Sequence, residues 1–225
     1  MIKWSYSSLK TFQQCPKKYY HTRVAKDFQD GDSTATIYGK EVHKVAEDFI
    51  RDGTPIPEKY KYITPTLEAL KNIPGAAYCE IELGLRVDKS ACGFKDDDVW
   101  WRGIADLLIV NGEEAYLVDY KTSKNAKYAD TKQLDILATA VFAHYPAVKR
   151  IKSALIFVVS NEFIRKHHKI EEADKYMTPF TYDLERLDMA MVNGTWNASS
   201  SALCAYCPVK TCQHWKEKKA YGSNR

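Results

Sequence analysis

Apolar residues recur at helical spacing in four parts of the chain. In the longest of these segments Val42, Val45 and Phe49 share one face, and Gly53 follows the last periodic position as a stop signal. We expect each of the four segments to bury its apolar face against a core. The pattern predicts helices over Thr36–Arg51, Thr66–Asn72, Lys132–His144 and Tyr182–Val192.

β-Branched and aromatic residues form strand-like runs in the middle of the chain. These runs cover Ala77–Val87, Val99–Val110, Ala115–Lys121 and the apolar segment Ile151–Ser160. The dipeptide Asn111-Gly112, between the second and third runs, is typical of a tight hairpin turn. Strands combined with helices predict an α/β fold with a mixed central sheet flanked by helices.

The two ends of the chain have a composition of their own. Ser5 and Ser7 are candidate N-caps of a first helix, and the tail is rich in Cys, Lys and aromatic residues. No repeat or long linker separates these ends from the middle of the chain. We therefore expect a single domain over residues 1–225, with an N-terminal helix at about 5–25 and a Cys-rich tail at about 199–225.

Composition narrows the class of protein only slightly. Hydrophobic residues make up 45% of the chain and charged residues 28%, and the net charge is +4. The positive sign suits a polyanionic partner without identifying one. No apolar run reaches the roughly 18 residues of a membrane span, and the N-terminus lacks the apolar stretch of a signal peptide. A cytoplasmic protein with no membrane partner is therefore expected.

The predicted hairpin carries two carboxylates and an amine. Asp119 and Lys121 share a face because they lie two residues apart on one strand. A two-residue turn at Asn111-Gly112 places Asp106 diagonally from Asp119, a four-residue loop places it directly opposite, and a three-residue loop separates the faces. Converging carboxylates suit Mg²⁺ or Mn²⁺, and an amine beside them can stabilise a developing negative charge.

Two simpler interpretations of these acidic residues stay open. Asp119 and Lys121 can be an ion pair at a strand end, with Asp106 solvated. On the preceding strand, Glu80 or Glu82 is a candidate outer metal ligand, although a solvated strand face is the simpler interpretation.

Five segments, taken in order, resemble a known family. Gly103–Asp106 and Val118–Thr122 resemble the core signature of the PD-(D/E)XK nuclease superfamily, and more narrowly its RecB-like and Cas4-like branch. Ser5–Tyr19, Tyr38–His43 and Gln133-Leu134 are similar to the family's N-terminal segment, histidine helix and glutamine motif. The resemblance implies a restriction-endonuclease-like core that hydrolyses DNA phosphodiesters.

The resemblance also implies a role for each matching residue. It assigns the divalent metal ion, Mg²⁺ or Mn²⁺, to His43, Asp106 and Asp119. Lys121 is then catalytic together with the two aspartates, and Gln133 positions Lys121 or the DNA. Considered alone, a single histidine on an amphipathic helix is more often a surface residue or a hydrogen-bonded core residue than a ligand.

The cysteine spacing predicts a second metal site. Cys204, Cys207 and Cys212 form a C-x2-C-x4-C pattern, and Cys15 lies near the N-terminus. Four thiolates suit a [4Fe–4S] cluster, whereas the three tail cysteines with His214 suit a structural Zn²⁺. Simple burial without metal is a third interpretation. The resemblance favours the cluster, because Cas4-like and AddB-like nucleases use one N-terminal and three C-terminal cysteines.

Basic and aromatic residues are interleaved in the predicted N-terminal helix. Such residues neutralise phosphates and stack on bases, although solvated lysines around packed aromatics are an equally simple interpretation. The candidate DNA contacts are Lys17, Lys18, Tyr20, Arg23 and Lys124. Another basic run, Arg165–Lys169, is interpreted as a candidate DNA-facing loop.

The function expected from these motifs is a metal-dependent DNA nuclease. The resemblance points to an exonuclease on single-stranded or end-exposed DNA, acting in recombination, repair or CRISPR adaptation in a prokaryotic or phage-infected cell. Because the chain has no Walker A motif, we expect either a stand-alone nuclease or one that works with a separate helicase, single-strand-binding protein or recombination or adaptation protein. The alternatives are a non-catalytic DNA-binding module of the same fold and a zinc-stabilised adaptor.

Overall fold

A computed structural model describes residues 2–127 and 129–216. Residues 217–225 of the predicted tail lie outside this range. The contacts divide the described residues into two compact units: residues 2–4 with 33–179, and residues 5–32 with 180–216. The predicted N-terminal helix and Cys-rich tail thus belong to the same unit. None of the described helices combines the length and the apolar character that crossing a membrane requires.

The first unit is built on a six-stranded sheet. Its strands are β1 (Ala76–Leu85), β2 (Ala91–Cys92), β3 (Trp101–Asn111), β4 (Glu114–Lys121), β5 (Arg150–Phe157) and β6 (Glu162–Lys169). The strand order is β2-β1-β3-β4-β5-β6, and the β4–β5 pair alone is parallel. This arrangement confirms the predicted α/β fold with a mixed central sheet.

Helices numbered in chain order complete the description. They are α1 (Tyr6–Gln14), α2 (Pro16–Tyr19), α3 (Thr34–Asp52), α4 (Thr64–Lys71), α5 (Lys132–His144) and α6 (Ala173–Asn193). A π-turn covers Tyr20–Val24, and 3₁₀ turns cover Glu58–Ile63, Ile170–Glu172 and Ala202–Tyr206.

Helices cover both faces of the sheet around its central strands. On one face α3 and α4 bury Val42 and Leu67 against Leu107 of β3 and Val118 of β4. On the other face Leu134 of α5 packs on Leu155 and Phe157 of β5. Strands covered on both faces are apolar almost throughout, as the sequence of β3 and β4 is.

The second unit contains α1 and α2, the C-terminal part of α6, and the chain that follows it. Ser5 caps α1 with a reciprocal Ser5–Ser8 capping box, which confirms one of the two predicted caps. The predicted continuous helix through Tyr19 is interrupted at Cys15, whose extended backbone ends α1 and begins α2. Pro16 at the first position of α2 suits a helix start.

Two local predictions were wrong. The hairpin turn is at Gly112-Glu113, because Asn111 pairs with Glu114, and Gly112 has the left-handed φ of 58°. The basic run Arg165–Lys169 is a strand and not a loop: it forms most of β6 and pairs with β5 along its length. The strand signal was hidden because one face of β6 is exposed and charged, while the alternating residues of the other face are the half-buried Ile164 and Lys166 and the buried His168.

Candidate metal and catalytic site

The register of the β3–β4 hairpin brings the two aspartates together. The last regular pair of the ladder is Leu107 with Val118, so the next residues along each strand, Asp106 and Asp119, stand opposite each other. This is the register that a four-residue loop would also give. Asp119 and Lys121 lie two residues apart on β4 and therefore share a face, whereas Asp106 is contacted by His43 of α3.

The regular pairing of β3 with β4 ends at Leu107–Val118, and the Asp106 side chain lies between the two strands just beyond that pair. Its Oδ2 accepts a hydrogen bond of 2.7 Å from the backbone N–H of Tyr120, so the carboxylate replaces a ladder partner. The carbonyl oxygen of Tyr120 lies 3.0 Å from Nε2 of His43, which approaches from α3. The backbone of Tyr120 therefore orients both the Asp106 carboxylate and the His43 imidazole.

The hydrogen bond to Tyr120 selects one tautomer of His43. A carbonyl oxygen accepts and does not donate, so Nε2 carries the proton and Nδ1 presents its lone pair in the neutral ring. Nδ1 lies 3.4 Å from Oδ1 of Asp106. Burial lowers the pKa of His43, but the carboxylates of Asp106, Asp119 and Glu80 together raise it above the usual value. The ring thus lies in a strongly negative environment.

Glu80 of β1 is the third member of this group. Its φ of 49° is left-handed, and it interrupts the β1–β3 ladder between the pairs Cys79–Leu107 and Ile81–Ala105, at the level of Asp106. Burial and the Asp106 carboxylate raise its pKa. Ligand atoms of His43, Glu80 and Asp106 all lie within 4.8 Å of one another. One nitrogen and two carboxylate oxygens form a donor set that a divalent cation accepts.

Lys121 and Asp119 form a second, adjoining group. Asp119 is almost fully buried, and its Oδ2 lies 2.5 Å from the Lys121 ammonium nitrogen. The same nitrogen donates a hydrogen bond of 3.1 Å to Oε1 of Gln133, near the start of α5. Burial and the Asp106 carboxylate raise the pKa of Asp119 to about 6, although Lys121 opposes this rise. The ammonium is therefore held at two points beside the carboxylates.

The structure thus gathers the five residues predicted for the active centre into two adjoining groups. Asp119 lies outside the group of three whose ligand atoms are mutually close, and contacts Lys121 instead. Glu80 enters that group although a solvated strand face had seemed the simpler interpretation. Its signal lies in the pairing register and in a backbone angle, neither of which a single sequence displays.

The four predicted cysteines line one cavity of the second unit. The cavity has a volume of about 150 Å³, and Cys15, Cys204, Cys207 and Cys212 all contribute to it. Two of the sulfurs accept backbone N–H groups: Cys15 from Lys18 and Ser199, and Cys204 from Ser201, each at 3.4 Å. Such N–H···S contacts tune the potentials of iron–sulfur clusters.

The spacing of these sulfurs bears on which metal they suit. Four thiolates around one Zn²⁺ lie about 3.8 Å apart, since each bond is about 2.3 Å long and the geometry is tetrahedral. Within the described residues, no three of these cysteine sulfurs lie within 4.8 Å of one another. A [4Fe–4S] cluster holds its ligand sulfurs farther apart, because each sulfur binds a different iron.

The candidate DNA contacts fall in different surroundings. Lys17 and Lys18 line the cysteine cavity, and Lys18 also forms a 3.0 Å ion pair with Asp30. Tyr20 packs against Trp196 with ring centroids 5.4 Å apart. Arg23 is exposed beyond α2, and Lys124 is exposed in the loop after β4, in the unit that contains the aspartates.

Comparisons with known proteins agree with this architecture. A family model for the PD-(D/E)XK nuclease superfamily matches residues 3–72 and 61–212. A solved structure described as a "Putative exonuclease" from Eubacterium rectale aligns with a TM-score of 0.53 at 13% identity, over 98% of this chain and 90% of that one. The structure of SSO0001 aligns with a TM-score of 0.48 at 16% identity, over 95% and 87%. No curated protein matches the chain.

Proposed function

Because the chain belongs to the PD-(D/E)XK nuclease superfamily, we propose that it is a metal-dependent DNA nuclease whose active centre is the hairpin site. One observation carries the proposal: His43, Glu80 and Asp106 converge beside the Lys121–Asp119 pair. A fold that only bound DNA would have no need to bury an aspartate beside a lysine and gather two further carboxylates next to them.

The divalent ion, Mg²⁺ or Mn²⁺, is proposed to bind His43, Glu80 and Asp106. Asp119 stays in the proposed ligand set because it lies opposite Asp106 and its pKa is raised by that carboxylate. When bound, the ion supplies Lewis-acid polarisation of the phosphodiester and activation of a water molecule. The fit rests on the donor chemistry, since mutual repulsion among the acidic groups is what a cation relieves.

Lys121 is the proposed catalytic cation. Asp119 and Gln133 occupy two of the three directions in which an ammonium donates hydrogen bonds. The remaining N–H is available to orient the attacking water or to stabilise the charge that develops on the phosphoryl oxygens. Asp119 and Gln133 are therefore also positioning residues, because they fix the direction of that donor.

We further propose the RecB-like and Cas4-like branch and an exonuclease activity on single-stranded or end-exposed DNA. The motif resemblance supports this choice, and a structural neighbour of the same fold is described as a "Putative exonuclease". Recombination, repair and CRISPR adaptation are the proposed settings, with a separate helicase, single-strand-binding or adaptation protein as partner. Lys124, exposed in the loop after β4, and the basic residues near the N-terminus are proposed DNA contacts.

The four cysteines are proposed to hold a [4Fe–4S] cluster. The support for it is that the four cysteines share one cavity, that backbone N–H groups point at two of the sulfurs, and that, among the described residues, no three of these sulfurs lie within 4.8 Å of one another. Burial raises the pKa of the Cys207 thiol, and the charge of Lys18 opposes this rise. The cluster is assigned a structural role, with no part in the hydrolysis.

The decisive experiment is digestion of end-labelled DNA with Mg²⁺ or Mn²⁺ by the wild-type protein and by Lys121→Ala. We expect Lys121→Ala to be about 100- to 1000-fold slower, since it removes a cation placed at developing charge. Lys61→Ala is the matched control, because Lys61 is an exposed lysine paired with Glu58. Its rate is expected to equal the wild-type rate.

The substrates separate the finer alternatives. Linear and covalently closed circular single strands of the same sequence are compared, and an exonuclease spares the circle. Full activity in Lys121→Ala would remove the proposed mechanism. DNA binding without cleavage of either substrate by the wild-type protein would favour the non-catalytic module.

A further inference from the structure

One face of β5 and β6 is open and strongly basic. Alternate residues of β6 point to this face, and the ladder pairs them with alternate residues of β5: Arg150 with Lys169, Lys152 with His167, and Ala154 with Arg165. The five charged or titratable side chains are exposed. We define the β5–β6 basic face as Arg150, Lys152, Arg165, His167 and Lys169.

The charges on this face are poorly compensated. Glu114 of β4 pairs with Arg150 and Lys152 at 3.2 and 3.1 Å. Among the described residues, no ion pair is made by Arg165, His167 or Lys169. Like charges directly opposite each other on a sheet destabilise it. The Glu114 ion pairs account for Arg150 and Lys152, but among the described residues they leave Lys169, directly opposite Arg150, without a carboxylate partner.

Protection of a sheet edge explains only part of this pattern. β6 is an edge strand, and lysines on an edge discourage pairing with another chain. That role accounts for the basic residues on β6, but the array continues to Arg150 and Lys152 on the inner strand β5, where the single carboxylate of Glu114 pairs with both cations. A two-strand array of cations matches an extended polyanion better than it matches an edge that only has to repel.

Aromatic rings lie within the same face. The guanidinium of Arg165 stacks on Phe163, 5.2 Å from its ring centroid, and Phe163 is 37% exposed. Lys152 lies 5.2 Å from the ring centroid of Tyr116. Cations supported on exposed rings are typical of surfaces that track a nucleic-acid backbone.

The basic face is separate from the hairpin site. Along the parallel β4–β5 pair, Glu114–Arg150 is the first register position and Lys121–Phe157 the last. Seven residues at about 3.3 Å each place Arg150 about 23 Å from Lys121 along the strands, whereas Arg165, which lies opposite Ala154, is about 10 Å from Lys121 in the same direction. DNA bound at both places must therefore span several nucleotides beyond the reacting phosphate.

We propose that the β5–β6 basic face is a second DNA-binding surface, which holds the phosphate backbone of the polymer at a distance from the hairpin site. Residues two apart on β6 are about 6.6 Å apart, a spacing suited to successive phosphates of an extended strand. The binding is electrostatic and independent of base sequence. It does not depend on the catalytic assignment.

Binding in EDTA tests the surface without catalysis. The affinity for single- and double-stranded oligonucleotides is measured against salt concentration for the wild-type protein and for Arg165→Gln/Lys169→Gln. Removal of two phosphate contacts is expected to reduce the slope of log K against log salt by about 1.4 for single strands and about 1.8 for duplexes. Affinity at about 0.1 M salt should fall on the order of tenfold or more.

Two further variants complete the design. Lys44→Gln/Lys61→Gln removes the same charge from exposed lysines elsewhere in the first unit, and should leave the slope at the wild-type value. Arg165→Lys/Lys169→Arg keeps the charge and should restore binding. If the Gln pair and its control have equal slopes, or if the Gln pair only self-associates, the surface protects an edge and the proposal is overturned. A changed slope in a protein without nuclease activity would leave this inference standing.

Discussion

Glu80 shows how one backbone angle can change the chemistry of a residue. On a regular strand its side chain would alternate with Cys79 and Ile81, but its φ of 49° interrupts the ladder beside Asp106. Left-handed angles are costly for residues other than glycine and are found mainly where function requires them. Burial first and the Asp106 carboxylate second raise the pKa of Glu80, because both disfavour its charged form, and His43 opposes this rise.

We predict that Glu80→Gln weakens metal binding at least tenfold, because it removes one of the three carboxylates in the proposed ligand set. In the absence of metal the same variant should unfold at an equal or higher temperature, since the repulsion with Asp106 is relieved. Mn²⁺ titration calorimetry and metal-free thermal denaturation measure the two effects.

Glu82→Gln is the matched control for this substitution. Glu82 lies two residues along the same strand and is exposed, so its neutralisation should change neither quantity. Wild-type Mn²⁺ affinity in Glu80→Gln would remove Glu80 from the proposed ligand set.

At the scale of elements, a buried polar network joins α5 to the last two strands. Asp135 of α5 accepts from Nε2 of His168 at 2.9 Å and from Lys166 at 2.6 Å, and Ser153 lies 3.3 Å from Nδ1 of His168. The order Ser–His–Asp has the look of a hydrolytic triad. However, Ser153 and His168 are 2% and 1% exposed, and the serine donates to the Lys166 carbonyl. The network is therefore structural.

This network predicts a specific acid sensitivity. Burial acts to raise the pKa of Asp135, but hydrogen bonds from His168 and Lys166 outweigh it and hold that pKa below its usual value. A depressed carboxyl pKa adds stability above the unfolded value of about 3.9, and that stability is lost as the pH falls through the folded value. The titratable groups that face Asp135 are Lys166 and His168 of β6 and Tyr176 of α6.

Asp135→Asn should lower the free energy of unfolding by about 3 kcal/mol at pH 7, because two cationic partners lose their carboxylate. The difference from the wild type should shrink as the pH falls below about 4. Urea denaturation across this pH range measures it. A difference that stays constant down to pH 2 would show that the pKa of Asp135 is not depressed in the folded protein.

The sequence predicted some elements better than others, for physical reasons. Residues 132–144 form a helix with the predicted bounds, since its apolar residues follow a helical period and the helix packs over the sheet. β6 was missed because an edge strand with one open face shows cations where strands usually show β-branched residues. The hairpin was predicted but its register was not, because Asn111-Gly112 and Gly112-Glu113 are both compatible with Gly112 in a tight turn.

At the scale of the whole chain, residues far apart in sequence form single sites. Cys15 and Cys204 are separated by most of the chain, yet they line one cavity. The C-x2-C-x4-C spacing predicted a metal site at the three tail cysteines, whereas only the family resemblance added Cys15 to that site. The active centre is similar: the Asp-Tyr-Lys motif located Asp119 and Lys121, and the fold selected Glu80 from the two glutamates that the sequence offered as outer ligands.

A [4Fe–4S] cluster bound by both Cys15 and Cys204 would close a loop that contains most of the chain. Loss of the cluster should therefore destabilise the second unit. Linking distant residues removes more chain entropy from the unfolded state than linking near ones.

We predict that Cys15→Ser loses iron, sulfide and visible absorbance, and that amide exchange then accelerates in residues 5–32 and 180–216. Cys79→Ser, which replaces a half-buried cysteine of the first unit, should keep the full iron content. Zinc in place of iron in the wild-type protein, or unchanged exchange in Cys15→Ser, would contradict a structural cluster. The β3–β4 hairpin should keep its protection in both variants, because its stability comes from apolar packing on α3, α4 and α5.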